Sequence, residues 1–165
     1  MASNIQVRRA SLSDAEDIAA FIKRARPNVE LTRLDIAERF GQVGFLLAER
    51  DEAIAGLLGW QVENLVVRVT DFLVIETSEN RLVVGEPLVE TMEEEAKDLK
   101  AEAVVLFMPP QSPPDLVSYW EAMGYERQAI ADLHRAWREA VHEWSEDAES
   151  VMIKQLREDL THRPM

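Results

Sequence analysis

The chain has 165 residues, room for one domain of ordinary size, and 47% of them are hydrophobic, enough to bury a real core rather than stay disordered. It has no cysteine, which excludes disulfide scaffolds, thiolate metal sites, iron–sulfur clusters and cysteine nucleophiles, and three histidines leave little for a histidine-based metal centre. Thirty-one acidic against 18 basic residues give a net charge of -13, which opposes binding to nucleic acid or an anionic membrane and suits a cationic partner. The amino terminus lacks the apolar core of a signal peptide, and no stretch of roughly 18 consecutive apolar residues occurs, so a soluble cytoplasmic protein is expected.

Alternation of apolar and polar residues from Ile5 to Arg9 predicts a short strand. Ser13 and Glu16 have the spacing of a capping box, ahead of a helix with Ile18, Phe21, Ile22 and Ala25 on one face and Pro27 at its stop. Thr32 is placed to cap a shorter helix carrying Leu34, Ala37 and Phe40. Phe45 to Glu49 and Ile54 to Gln61 read as a hairpin about Asp51-Glu52, and Leu65 to Ile75 is the strongest strand signal in the chain.

Leu88, Val89, Met92, Ala96 and Leu99 form a helical apolar stripe, with Glu90, Glu93, Glu94 and Lys97 on the solvated side and Glu93 spaced to pair with Lys97. Ala103 to Phe107 reads as a strand buried on both faces. Pro109, Pro110, Pro113 and Pro114 then stiffen a connector into a helix from Asp115 to Met123, ended by Gly124. Ile130, Leu133, Trp137, Val141 and Trp144 recur at helical spacing, and Val151 to Leu156 supplies a last strand. The tryptophan stripe has two readings: a helix covering the sheet, or a contact with a second copy or cap over an acceptor groove, which leaves a homodimer open. His134 and His142 lie about two turns apart, too far to share one metal ion. The expectation is one α/β domain over residues 1–165, with a core over 5–125 and residues 126–165 adding a strand, an extra helix and a closing strand.

Three stretches of this order resemble the GCN5-related N-acetyltransferase (GNAT) superfamily. Ile5-Gln6-Val7-Arg8-Arg9-Ala10 with Ser13-Asp14-Ala15 is similar to its opening strand and first turn. Phe72-Leu73-Val74-Ile75, Gly85 and Leu88-Val89-Glu90 are similar to its central strand, acetyl-CoA loop and cofactor helix. Tyr119-Trp120-Glu121-Ala122-Met123-Gly124-Tyr125 matches its late aromatic-aromatic-x-x-x-Gly-aromatic signature.

The resemblance implies a central mixed sheet flanked by helices, here with an additional C-terminal helix before the last strand. It also implies acetyl or acyl transfer from acetyl-CoA to a primary amine of a small molecule or protein. On that basis Leu73, Val74, Ile75, Arg81, Val84, Gly85 and Glu86 are the cofactor-binding candidates, and amide groups at a helix N-terminus would hold the pyrophosphate. The family's catalytic glutamate falls on Val69, so Asp71, two residues on and on the same strand face, is the candidate base.

Several positions depart from the family pattern. Its loop arginine and first glycine fall on Asn80 and Val83, its pantetheine-contacting asparagine on Pro113, and its thiolate-protonating tyrosine on Trp120. With Pro87 read as the first helical residue, Glu86 would sit at the helix start. There it would repel a pyrophosphate by on the order of 1 to 4 kcal/mol at about 4 Å. These departures support an alternative: a non-catalytic binding or dimerisation module on the same fold.

Overall fold

The computed structural model describes residues 5–28, 30–41, 43–74, 81–108 and 114–157. Among them, seven strands form one mixed sheet: β1 (Gln6–Arg9), β2 (Gly44–Arg50), β3 (Ala53–Glu63), β4 (Val66–Val74), β5 (Ala103–Leu106), β6 (Glu126–Ala129) and β7 (Ser150–Gln155). Their order across the sheet is β1-β2-β3-β4-β5-β7-β6, so the last strand in sequence lies inside the sheet and β6 at its edge. Five α-helices accompany it: α1 (Ala15–Ala25), α2 (Arg33–Arg39), α3 (Arg81–Asp98), α4 (Pro114–Glu121) and α5 (Arg135–Trp144). No helix among the described residues is long and apolar enough to cross a membrane. The chain gathers into two compact units, Met1–Gln61 with Thr70–Met92 and Val62–Val69 with Glu93–Met165.

In the first unit β1 and β3 flank β2 in antiparallel registers that pair Gln6 with Glu49 and Phe45 with Gly59. The hairpin turns on Asp51 and Glu52, both left-handed (φ 53° and 66°), a pair of positive angles that follows the strand twist. Ile18, Phe21 and Ile22 of α1 pack on Phe45, Leu47 and Leu57, as the sequence periodicity requires. In α2 the residue that joins them is Ile36, while Leu34, expected on the apolar side, is exposed, because the helix turns Ile36 towards that cluster. The Thr32 cap forms: its hydroxyl accepts the Asp35 amide at 3.1 Å, and its amide donates to the Asp35 carboxylate at 2.8 Å.

The cap expected at Ser13 does not. A 3-10 turn over Leu12–Asp14 precedes α1, and the Ser11 amide donates to the Asp14 carboxylate at 2.7 Å instead. Asp14 is drawn there by Arg8, whose guanidinium makes two 2.9 Å bonds to it and also reaches Glu49 at 3.0 Å.

Arg8 holds the Asp14 carboxyl down at about 2. A depressed carboxyl contributes stability above its unfolded pKa, near 4, and loses that contribution as pH falls through the folded value. Arg8→Gln is therefore expected to flatten the pH dependence of the melting temperature between about pH 4 and pH 2. An unchanged slope in that window would refute this pairing as its cause.

In the second unit β4 begins parallel to β5, with Val66 opposite Ala103, and β7 is antiparallel to both β5 and β6. The extra C-terminal helix is present as α5, preceded by a 3-10 turn over Ile130–Asp132. Its apolar face, Trp137, Ala140 and Val141, packs on Val66, Val105, Val151 and Ile153. Trp137 is 4% exposed, so this tryptophan serves as a cover for the sheet and its ring is spent within the chain. Its indole N–H donates to Glu102, a carboxylate only 1% exposed, at 2.9 Å.

The glycine of the late signature has a backbone reason. Gly124 takes φ +97°, donates to Glu121 at 3.0 Å, and Tyr125 donates to Trp120 at 3.2 Å, the two bonds of a Schellman cap closing α4. A Cβ there would also lie 3.2 Å from the Lys154 side chain.

Candidate functional site

The candidate residues sit on the second half of β4 and the first turns of α3. Leu73 is half-buried against the α1–α2 cluster, Val74 is half-buried at the strand end, and Ile75 lies outside the described residues, as do Asn80 and Pro113. Helix α3 starts at Arg81, earlier than the expected start at Pro87. Val84, Gly85, Glu86 and Pro87 are thus all inside it.

Packing overrides local propensity here. Val84 and Leu88, one turn apart, are both fully buried, and each lies 2.9 Å from where a Cβ on Gly56 of β3 would stand. Glycine at 56 lets the helix seat its first two turns on the strand, and that burial carries the helix through Gly85 and Pro87. Pro87 costs one intrahelical bond, leaving the Val83 carbonyl without its i+4 donor at a surface position.

The donors change accordingly. The first amides of a helix have no partner within it, and in α3 these belong to Arg81, Leu82 and Val83. Leu82 and Val83 are exposed, so the turn faces solvent. The Gly85 amide is the one that bonds back to Arg81 in a regular helix, which takes it out of the orphan set. Glu86 is exposed on the second turn, about 7.5 Å along the axis from Arg81. At about 8 Å its repulsion of an anion at the helix start is roughly half that expected for a terminal position.

Asp71 is the carboxylate of this region, and it is engaged. Arg39 of α2 grips it with both terminal nitrogens, at 2.9 Å to Oδ1 and 2.6 Å to Oδ2, while the Thr70 hydroxyl donates to Oδ2 at 2.8 Å. The Arg39 guanidinium lies 5.7 Å from the Phe45 ring centroid, which steadies the fork. Gly59 makes room for the pair: a Cβ there would stand 2.6 Å from Asp71 Oδ2. A carboxylate so fixed can orient a cationic group through the free lone pair of Oδ1.

A second polar cluster escaped the sequence reading. Glu93, expected on the solvated face beside Lys97, is buried. It accepts the Tyr125 hydroxyl at 2.8 Å and the Lys154 ammonium at 3.0 Å. Lys154 also donates to the Met123 carbonyl at 3.1 Å. Burial, reinforced by Glu93, pushes the Tyr125 hydroxyl well above its ordinary pKa. Trp120 is fully buried with its ring edge-on to Tyr125, so the signature aromatics pack inside the second unit. The signal was present in the conjunction of Glu93, Tyr125 and Lys154, but nothing in their spacing joins them.

No protein-family model matches the chain, and no curated protein sequence does. Solved structures do. The N-acetylglutamate synthase of Neisseria gonorrhoeae, complexed with coenzyme A and N-acetyl-glutamate, superposes with a TM-score of 0.68 at 14% identity over 95% of this chain. This chain spans only 36% of that enzyme. A GNAT-family acetyltransferase of Staphylococcus aureus gives 0.66 at 16% identity, covering 93% of this chain and 100% of its own. The PaiA N-acetyltransferase of Thermoplasma acidophilum, in complex with coenzyme A, gives 0.64 at 14% identity, covering 92% and 99%. The chain has the GNAT fold.

Proposed function

We propose that this chain is an acyl-CoA-dependent N-acyltransferase, with acetyl-CoA as donor and a primary amine as acceptor. The observation that carries the reading is the start of α3: an 18-residue helix opens with the orphan amides of Arg81, Leu82 and Val83 on an exposed turn, seated on β3 over Gly56. Structures of the same fold that hold coenzyme A support it.

The residues present fit the group: amides and helix dipole favour a pyrophosphate, and Glu86 lies three to five residues further on, about 4.5 to 7.5 Å along the axis. Bound there, acetyl-CoA supplies a thioester carbonyl open to amine attack. The α3 amides of Arg81 to Val83 would hold the anion, and Val84 and Leu88 keep the helix from shifting on β3. Asp71 Oδ1 would orient the acceptor ammonium and take its proton, with Arg39 fixing the carboxylate plane. The acidic surface suits a cationic acceptor.

Isothermal titration with acetyl-CoA tests this first, with micromolar saturable binding expected. Gly56→Val, which drives two methyl groups into Val84 and Leu88, is expected to weaken it about tenfold or more. Asp71→Asn should spare binding and lower turnover of an accepted amine. No heat at millimolar acetyl-CoA, with an unshifted melting temperature, would overturn the proposal.

That outcome would favour a second reading, a non-catalytic binding module. Its support is the grip of Arg39 on Asp71 and the burial of Trp120 where the family pattern has an acid.

A further inference from the structure

β6 ends the sheet order, with β7 on one side and, among the described residues, no strand on the other. Its main chain fixes which groups point outward. The Ile130 amide donates to the Glu149 carbonyl at 2.9 Å, and the β6–β7 register continues from there as Ala129–Ser150, Gln128–Val151, Arg127–Met152 and Glu126–Ile153. Hydrogen-bonded and non-bonded positions alternate along an antiparallel pair. Glu126 and Gln128 therefore bond inward to β7, while the amides and carbonyls of Arg127 and Ala129 face the open edge. Both of those residues are exposed.

An edge of this kind is a template for a further strand. β6 contains no proline or glycine, and its register with β7 runs without a bulge. Its one carboxylate, Glu126, is already held by the Gln128 side-chain amide at 2.7 Å. About a two-fold axis such an edge is its own partner, and the pairing closes at two copies.

Charge and length select the register. Only outward-facing residues can bond across the edge, so the axis falls on Arg127, Gln128 or Ala129. On Arg127 it would set two guanidinium groups directly opposite each other. On Ala129 the ladder would have to take in Ala131, which belongs to the 3-10 turn over Ile130–Asp132. On Gln128 it sets Arg127 opposite Ala129 of the second copy, so every outward amide and carbonyl of the strand is bonded. The two Gln128 side chains then face each other across the axis.

We propose that β6 pairs antiparallel with β6 of a second copy of this chain, about a two-fold axis at Gln128, joining two sheets into one. The inference uses only main-chain groups of the second unit and needs no acyl-CoA.

Cross-linking tests the register. The chain has no cysteine, so Gln128→Cys introduces a single thiol. Cα atoms of a non-bonded pair stand about 4.5 Å apart, inside the roughly 4.4–6.8 Å range of a disulfide. Copper–phenanthroline oxidation at about 100 µM chain should link most Gln128→Cys molecules in pairs. Glu126→Cys, whose two copies lie four residues out of register and about 13 Å apart along the strand, should link at least about tenfold more slowly.

Ala129→Pro tests the ladder itself. Ala129 has φ −68°, the angle proline imposes, and its amide faces outward, so the variant removes a donor between copies and no bond to β7. Sedimentation equilibrium at about 100 µM should show dimer in the wild type and association at least about tenfold weaker in Ala129→Pro. Gln128→Lys, which sets two ammonium groups across the axis, serves if Ala129→Pro proves unfolded by circular dichroism. A wild type that stays monomeric up to about 500 µM would overturn the proposal. So would Glu126→Cys linking as fast as Gln128→Cys, or a dimer that neither Ala129→Pro nor Gln128→Lys weakens. Failure here leaves acetyl-CoA binding untouched, because neither experiment contains the cofactor.

Discussion

Trp137→Ala is expected to lose about 3–5 kcal/mol of unfolding free energy, the range for truncating a large buried aromatic. Trp137 sits at the centre of the face that α5 lays on β5 and β7, beside Val105, Val151 and Ile153. The substitution opens a cavity there and also strips Glu102 of the indole donor at 2.9 Å. Glu102 is tied into the sheet by its backbone: its amide donates to the Leu65 carbonyl at 2.7 Å, and its carbonyl accepts the Leu156 amide at 2.8 Å. A carboxylate pinned so deep cannot swing out to water when its partner leaves.

Trp137→Phe separates the two contributions. It keeps most of the ring and removes the N–H, and should cost about 1.5–3 kcal/mol, the worth of a hydrogen bond to a charged group. Urea unfolding measures both. A loss below about 1 kcal/mol for the alanine variant would show that α5 does not bear on this core, because such a loss matches a surface substitution.

Lys154→Met should cost about 3 kcal/mol at neutral pH. Removing one partner of a buried ion pair typically costs about 3–5 kcal/mol, and the lower end applies because the Lys154 side chain is 31% exposed against 9% for Glu93. The damage lies in what remains, a buried Glu93 carboxylate with the Tyr125 hydroxyl as its remaining donor here. Adding Glu93→Leu to Lys154→Met should recover most of the loss, since an apolar pair of similar volume leaves no buried charge. If the double variant is no more stable than the single, the charge account fails.

The same cluster sets an alkaline limit. Tyrosine in the unfolded chain ionises near pH 10, roughly. Folded Tyr125 holds its proton above that, because burial and the Glu93 carboxylate oppose a phenolate. The folded state therefore binds more protons than the unfolded one above about pH 10, and stability falls as pH rises through that region. Tyr125→Phe is less stable at pH 8, having lost the bond to Glu93, but it lacks this alkaline loss. The melting temperatures of wild type and Tyr125→Phe should thus converge between about pH 9 and pH 11, and parallel curves would refute the assignment.

Where the sequence reading erred, tertiary packing had outvoted a local preference. Gly85 and Pro87 read as loop and helix start, and locally they are. Val84 and Leu88 nevertheless bury themselves over Gly56, some 28 residues earlier in the chain, and draw Gly85 and Pro87 into α3. Ser13 and Glu16 had the right spacing for a cap, yet Arg8 pulled the cap to Ser11 and Asp14. Asp71 was legible as a candidate from its strand face. Arg39, which orients it from 32 residues away, was not.

By itself the sequence determined the order of strands and helices, the two caps at Thr32 and Gly124, the extra helix before the last strand, and through three short motifs the fold. Those features rest on periods of two and 3.6 residues and on the angles single residues tolerate, which neighbours along the chain report. Only the tertiary structure decided where α3 begins, that Glu93 and Glu102 are buried and Asp71 half-buried, and what they hold: Glu93 with Tyr125 and Lys154, Glu102 with Trp137, Asp71 with Arg39. A charge enters the interior only when its partner is already placed there, and these partners stand 32 to 61 residues away. No local pattern carries that information.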